Sequence, residues 1–191
     1  MIIGITGGTG SGKSTLLHLV EGLGGVVLDC DAIYHELLQT DADLLHRIEN
    51  CFPGTVTDGV LDRKKLGAIV FSDETALQEL NHITHTAVKQ EVLHRLESKP
   101  NLAAIDAIGL FEGELNSLCD VTVVVTAPAE DRIRRIMARD GISEAYAQSR
   151  LASQHSDDWF ASKCDYILEN NSTVEDFQVK CIAFFRKLGI I

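Results

Sequence analysis

The residues best suited to chemistry stand near the start of the chain, in Gly7-Gly8-Thr9-Gly10-Ser11-Gly12-Lys13-Ser14. The run fits the phosphate-binding pattern G-x-x-x-x-G-K-[ST] without a mismatch. Glycines let the backbone fold into a concave ring whose N–H groups point inward at phosphate oxygens. A helix opening near Lys13 adds unpaired N–H groups and the positive end of its dipole. Lys13 is expected to reach the β- and γ-phosphates, and the Ser14 hydroxyl to ligate Mg²⁺. Gly8, Thr9, Gly10, Ser11, Gly12, Lys13, Ser14 and Thr15 form the expected nucleotide cradle.

Further groups could act on what the loop holds. Val26-Val27-Leu28 leads into Asp29-Cys30-Asp31, and Leu102-Ala103-Ala104-Ile105 leads into Asp106. Carboxylates at the carboxyl ends of parallel strands lie on the edge where open α/β sheets bind ligands. In an extended segment Asp29 and Asp31 would share a face. At least one of them is expected to be catalytic, and Asp106 to stand on the metal side. Arg132, Arg134, Arg135 and Arg139 crowd one helix with few carboxylates to balance them, which suggests an anion-binding lid. Arg63-Lys64-Lys65 sits at a helix start, where the dipole disfavours cations, and so hints at an anionic ligand. His82 and His85 have a spacing that two metal ligands could use, but no acidic partner at the right spacing joins them. Substrate contact or plain surface is the preferred reading.

These groups need a scaffold that the sequence also outlines. Met1-Ile2-Ile3-Gly4-Ile5 is a short apolar run suited to a buried strand, and Leu16, Leu19, Val20 and Leu23 form the stripe of the following helix. Val26–Leu28, Leu102–Ile105, Val121–Val125 and Tyr166–Leu168 read as further strands. Helical crossovers between them make a five-stranded, doubly wound parallel sheet, an α/β fold of the phosphate-loop kinase type. Residues 32 to 99 are mostly helical. Thr40-Asp41-Ala42-Asp43 has the form of a capping signal, Asp62 can cap Arg63 onward, and Ser72 can cap a long helix to about Ser98. Ser143 and Thr173 can cap the last two helices. Trp159, the only tryptophan, reads with Phe160 as the anchor of a loop on the core or as the hinge surface of the lid.

One domain of 191 residues is expected. It divides into a nucleotide core (about 1–31, 100–131 and 161–191), a helical substrate lobe (about 32–99) and a lid (about 132–160). The formal net charge of −11 argues against a general nucleic-acid binder. Five cysteines without C-x-x-C suggest reduced thiols and a cytoplasmic protein. No leader and no membrane-spanning run is read. The loop alone does not separate kinases from GTPases or motors. The absence of N-K-x-D, the small core and the arginine-rich segment favour a kinase of small molecules. A nucleoside or nucleotide kinase and a non-catalytic ATP-dependent switch are the alternatives.

From residue 2 to about 185 the chain resembles the dephospho-CoA kinase family. The segments that carry the likeness are Ile5 to Thr15, Leu28-Asp29-Cys30-Asp31 with His35, Leu61-Asp62-Arg63 to Phe71, Leu80-Asn81 to His85 and Asp106 to Glu112. Arg135 to Gly141, Arg150 with Gln154, and Asp165 to Asn171 complete the set. The resemblance implies transfer of the γ-phosphoryl of ATP to the ribose 3′-hydroxyl of dephospho-CoA, with Mg²⁺. It implies partners limited to ATP and dephospho-CoA, with no nucleic acid or membrane, in a monomer or small homo-oligomer. Asp31 matches the family's general base, Lys13 and Ser14 its phosphate and Mg²⁺ contacts, and Arg139 a lid arginine on ATP. Asn170 or Asn171 falls in the adenine region. Asp31, His35, Arg63, Lys64, His85, Asp106 and Glu112 fall on the acceptor side, Asp106 also beside the metal. Two segments depart from the pattern: Thr86 follows His85 in place of proline, and Ile108 and Gly109 replace a proline and a leucine. They leave the reaction intact and bear on the fine shape of the acceptor pocket.

Overall fold

An apolar strand bordered by strands on both sides and helices on both faces has no contact with water. In the computed structural model, which describes residues 1–191, Ile3, Ile5 and Thr6 of the first strand are fully buried. Along the chain the elements are β1 (Ile2–Thr6), α1 (Lys13–Gly22), β2 (Val26–Asp29), α2 (Cys30–Thr40) and α3 (Ala42–Cys51). A small hairpin of β3 (Val56–Thr57) and β4 (Val60–Leu61) precedes α4 (Arg63–Val70) and α5 (Glu74–Leu96). Then come β5 (Ala103–Asp106), β6 (Val121–Thr126), α6 (Ala129–Asp140), α7 (Glu144–Ala152), α8 (Asp157–Ala161), β7 (Tyr166–Glu169) and α9 (Val174–Lys187).

The five-stranded sheet has the order β2-β5-β1-β6-β7, so the expected α/β fold with five parallel strands is present. β1 pairs in parallel with β5 on one side and β6 on the other, Ile5 lying opposite Asp106 and Val123. The chain leaves β1 where the strand order reverses, the place where open α/β sheets put their ligands. On one face α1 and α9 cover the sheet, and Leu16, Val20, Phe177, Cys181, Phe184 and Phe185 pack with Ile3, Ile5, Val123 and Val125. Each of those phenylalanines contributes roughly 1.5–3 kcal/mol by leaving water. On the other face Gly4 gives room: a Cβ there would lie 2.8 Å from Cys119 Sγ and 3.0 Å from Leu110 Cδ2.

The chain forms two compact units. The first comprises Met1–Leu28, Pro100–Leu110 and Leu115–Ile191, the second Asp29–Lys99 with Phe111–Glu114. The arginine-rich α6 and α7 thus belong to the compact unit that carries the sheet. In the second unit α5 packs against α2, α3 and α4. Ile33, Leu44, Ile48, Leu66, Ile83 and Val92 are among its buried residues. The turn of the hairpin uses Asp58 (φ 51°) and Gly59 (φ 75°), the left-handed pair that tight two-residue hairpins need.

Several local expectations change. Asp29 and Asp31 do not share an extended segment: Asp29 ends β2 and caps α2 by accepting from Ala32 N–H at 3.0 Å, while Asp31 is already helical. The cap of α3 is Asp41, which accepts from Leu44 N–H; the Thr40 hydroxyl turns back to the Glu36 carbonyl. The cap of α5 is Asp73, and the Ser72 hydroxyl donates to Ala68 and Ile69 carbonyls. In each case the side chain expected to cap has an acceptor in the preceding helix, and the neighbouring aspartate takes the cap. Asp62, Ser143 and Thr173 cap as read. Of the aromatic pair, Phe160 is the core anchor, at 0% exposure; Trp159 stacks on His155 with ring centres 3.7 Å apart.

Candidate nucleotide and acceptor sites

The loop between β1 and α1 takes its shape from glycine. Gly7 (φ 132°), Gly10 (φ 80°) and Gly12 (φ 101°) hold left-handed backbone that a side chain would strain. Gly12 is the N-cap of α1 and supplies no side-chain acceptor, so no side chain caps the N–H groups of the first turn. An anion is the natural partner for such a terminus. The Ser11 hydroxyl is buried and makes no hydrogen bond within the protein, a second polar group directed into the loop without an internal partner.

Lys13, Ser14 and Asp106 complete this end of the first unit. Lys13 Nζ donates to the Gly7 carbonyl at 2.9 Å and stands 4.0 Å from Asp106 Oδ1. Ser14 lies in the first turn of α1 and is exposed. A hydroxyl and a carboxylate are hard oxygen donors, and Mg²⁺ is ordinarily held by one or two protein oxygens together with substrate phosphates. The donor set therefore fits Mg²⁺ bound with a nucleotide.

The arginines of α6 divide into two groups. Arg135 Nη1 donates to the carbonyls of Gly10 and Ser11 at 3.0 and 3.3 Å, and Arg132, 7% exposed, donates through Nε to the Thr9 carbonyl. Burial pushes the Arg132 guanidinium below its ordinary pKa, and Asp157 opposes that shift. Arg139, expected on ATP, is paired with Asp140 through Nε and Nη2 at 2.6 and 3.0 Å. Arg150 Nη1 reaches the same carboxylate at 2.6 Å. Hydrogen bonding from Arg139, then from Arg150, holds the Asp140 carboxyl down at about 2. Asn170 is buried, and its Nδ2 donates to the Ser11 carbonyl at 2.8 Å. Asn171 is exposed and pairs with Glu169 and Lys180.

The second unit carries the remaining candidates. Asp31 is exposed in the first turn of α2. His35 Nδ1 and Arg63 Nη2 are 3.2 Å apart. Lys64 stands in the first turn of α4, where Asp62 accepts its N–H; Lys65 is committed to the Gly54 carbonyl. His85 and Glu112 line one groove of about 350 Å³ with His82, Thr86, Lys89 and Glu114. Sequence reasoning had not singled out Lys89, which pairs there with Glu114 at 3.1 Å. Thr86 keeps α5 continuous and donates its hydroxyl to the His82 carbonyl at 2.7 Å. Gln154 and Arg132 were not read as loop contacts, although glycine at residue 8, the unrestricted second position of the motif, was a signal for one.

Comparison with known proteins agrees with this geometry. Residues 1–176 match the family model described as dephospho-CoA kinase. A dephospho-CoA kinase of Anaeromyxobacter dehalogenans is 39% identical over 180 residues, 91% of this chain and 85% of that one. A crystal structure from Thermus thermophilus matches with a TM-score of 0.82 at 33% identity, covering 98% of this chain and 97% of the other. Dephospho-CoA kinase from Campylobacter jejuni matches with a TM-score of 0.68 at 29% identity, covering 98% and 96%. This chain belongs to the dephospho-CoA kinase family.

Proposed function

We propose that this protein transfers the γ-phosphoryl group of ATP to the ribose 3′-hydroxyl of dephospho-CoA, giving coenzyme A and ADP in the last step of coenzyme A synthesis. The family match over residues 1–176 carries the proposal. The phosphate loop, with its uncapped helix terminus and Lys13 beside Asp106, supplies the chemistry. Asp31 is the base that orients the 3′-hydroxyl and takes its proton. The new bond joins that oxygen to the γ-phosphorus as the bond to the β–γ bridging oxygen breaks, and ADP leaves.

Phosphoryl transfer requires little covalent work from a protein, so positioning and charge compensation dominate. Loop amides beyond Thr9, whose own N–H is taken by Gln154, hold the phosphates with the Lys13 ammonium. Ser14 and Asp106 would hold Mg²⁺, which when bound offsets phosphate charge. Arg139 exchanges Asp140 for a nucleotide oxygen, and Asn170 supports the loop beside the adenine region. His35, Arg63, Lys64, His85, Asp106 and Glu112 take the acceptor. An ADP-release assay comparing dephospho-CoA with nucleosides and nucleoside monophosphates tests the reading. Turnover with dephospho-CoA alone is the expected result; a preference for a nucleoside or its monophosphate, or binding without turnover, would replace it. No helix is long and apolar enough to cross a membrane.

A further inference from the structure

The second position of the loop motif, residue 8 of the chain, is open to any residue, yet glycine stands there. The reason lies in the protein itself. A Cβ at Gly8 would lie 1.8 Å from Arg132 Nη2, 2.6 Å from its Cζ and 3.0 Å from Gln154 Oε1. A Cβ at Gly10 would lie 2.8 Å from the Arg132 carbonyl. The start of α6 is thus seated directly on the loop.

Its contacts converge on Thr9. Arg132 Nε donates to the Thr9 carbonyl at 3.0 Å. Gln154 Oε1 accepts from the Thr9 N–H at 3.0 Å, and Gln154 Nε2 donates to the Thr9 hydroxyl at 2.7 Å. All three polar groups of this one residue are taken, by two side chains from different segments. The two side chains are also tied to each other, Arg132 Nη2 donating to Gln154 Oε1 at 3.2 Å. Asp157 accepts from Arg132 Nη1 at 3.1 Å and so fixes the guanidinium from a third segment.

We propose that Arg132 and Gln154 are positioning residues for phosphoryl transfer, locking the peptide planes on either side of Thr9. The N–H of Thr9 fixes the plane toward Gly8; its carbonyl fixes the plane toward Gly10. With that carbonyl held against Arg132, the Gly10 N–H on the same plane points the opposite way. Release of the carbonyl would let the plane turn and present an oxygen where the loop must present donors. A buried guanidinium is an expensive way to gain stability, because desolvation opposes the ion pair. Its use here is to impose one backbone geometry in a site whose electrostatics depend on donors already in place.

The proposal rests on the kinase reading above, and the experiment separates the two. Gln154→Leu, Arg132→Met and Arg132→Lys are compared with the parent by calorimetry with Mg²⁺·ADP alone and by steady-state kinetics, with thermal melts alongside. Gln154 lies only partly buried just beyond α7, so its variant decides if Arg132→Met does not fold. Gln154→Leu should lower kcat/KM for ATP and weaken ADP binding, roughly ten- to hundredfold for the kinetic term, the range of a misplaced site. The KM for dephospho-CoA should stay within about twofold, Arg132→Lys should recover part of the Arg132→Met loss, and the double variant should be little worse than the worse single one. Normal ADP affinity and normal turnover in Gln154→Leu would overturn the proposal. So would a loss shared equally by both substrates and matched by a fall in Tm. Should the parent bind ADP but phosphorylate nothing, the kinase reading fails, and the ADP affinities still decide the role of the pair.

Discussion

Lys13 holds its ammonium between the Gly7 carbonyl and the Asp106 carboxylate, at 2.9 and 4.0 Å. These are partners it can keep while its remaining donors turn to phosphate. Lys13→Ala should reduce turnover by roughly two orders of magnitude or more, the scale of losing one preorganised electrostatic contact. The melting temperature should hardly move, since the side chain packs no core; near-normal turnover would remove the loop from the mechanism. Asp31 stands in the first turn of α2, just past the end of β2. Asn keeps its size but accepts no proton, so Asp31→Asn should lower kcat by about 10²–10⁴-fold and leave ATP affinity unchanged in calorimetry. A large loss from Asp29→Asn with Asp31→Asn silent would transfer the role, although Asp29 is already the cap of α2. Asp140 offers a pH test. Its carboxyl titrates at about 2 because Arg139 and then Arg150 hold the charged form. A carboxyl depressed in the folded state adds stability that is complete above its ordinary pKa, and that is lost as the pH falls from there through about 2. Carboxyl-detected NMR should find that low midpoint in the parent and a higher one in Arg139→Ala; an unmoved midpoint would show that the pair contributes nothing.

At the scale of elements the caps decide where helices begin. Asp73 accepts from Thr75 and Ala76 N–H, whereas Ser72 closes the end of the previous helix. Asp73→Ala should cost about 1 kcal/mol in denaturant unfolding. Ser72→Ala should stay within about 0.5 kcal/mol, as an exposed position away from such a feature does. Equal losses would mean that both residues share the cap. The strands of the main sheet were legible because each is a short apolar run bounded by turn residues, the form that burial on both faces imposes. The cap positions were less legible. Thr40-Asp41 and Ser72-Asp73 each offer adjacent candidates, and spacing alone cannot tell which side chain bonds backward and which forward. The β3–β4 hairpin, two residues on each side, was too short to read as strands. The loop was legible as a motif, while its attachment to Arg132 and Gln154 was not. Those contacts span 123 and 145 residues of sequence, and no local periodicity reports them.

Over the whole molecule, a chain of net charge −11 binds polyphosphates through local groups rather than through its general field. Each substrate should then leave a local mark. The nucleotide groups, the phosphate loop with Arg139 and Asn170, lie in the unit built on the sheet. Asp31, His35, Arg63, Lys64, His85 and Glu112 lie in the helical unit, and the chain passes between the two at Leu28–Asp29, Lys99–Pro100, Leu110–Phe111 and Glu114–Leu115. A ligand slows the opening reactions that destroy its own site by a factor of one plus its concentration over Kd. At 100 times Kd this is about 2.7 kcal/mol, or a hundredfold slower exchange. Local openings of different segments report this independently of one another. Hydrogen exchange with saturating Mg²⁺·ADP should therefore slow the amides of Gly10–Leu16 and the start of α6. The starts of α2 and α4 and the middle of α5 should exchange as before. Dephospho-CoA alone should give the reverse pattern, with protection strongest from Asp31 to His35 and from Ile83 to Lys89. Protection by ADP that covers α5 as strongly as the loop would assign the helical unit to the nucleotide. Protection by dephospho-CoA confined to the loop would leave the groove of His85 and Glu112 without a substrate, and the acceptor residues would have to be sought in the unit that carries the sheet.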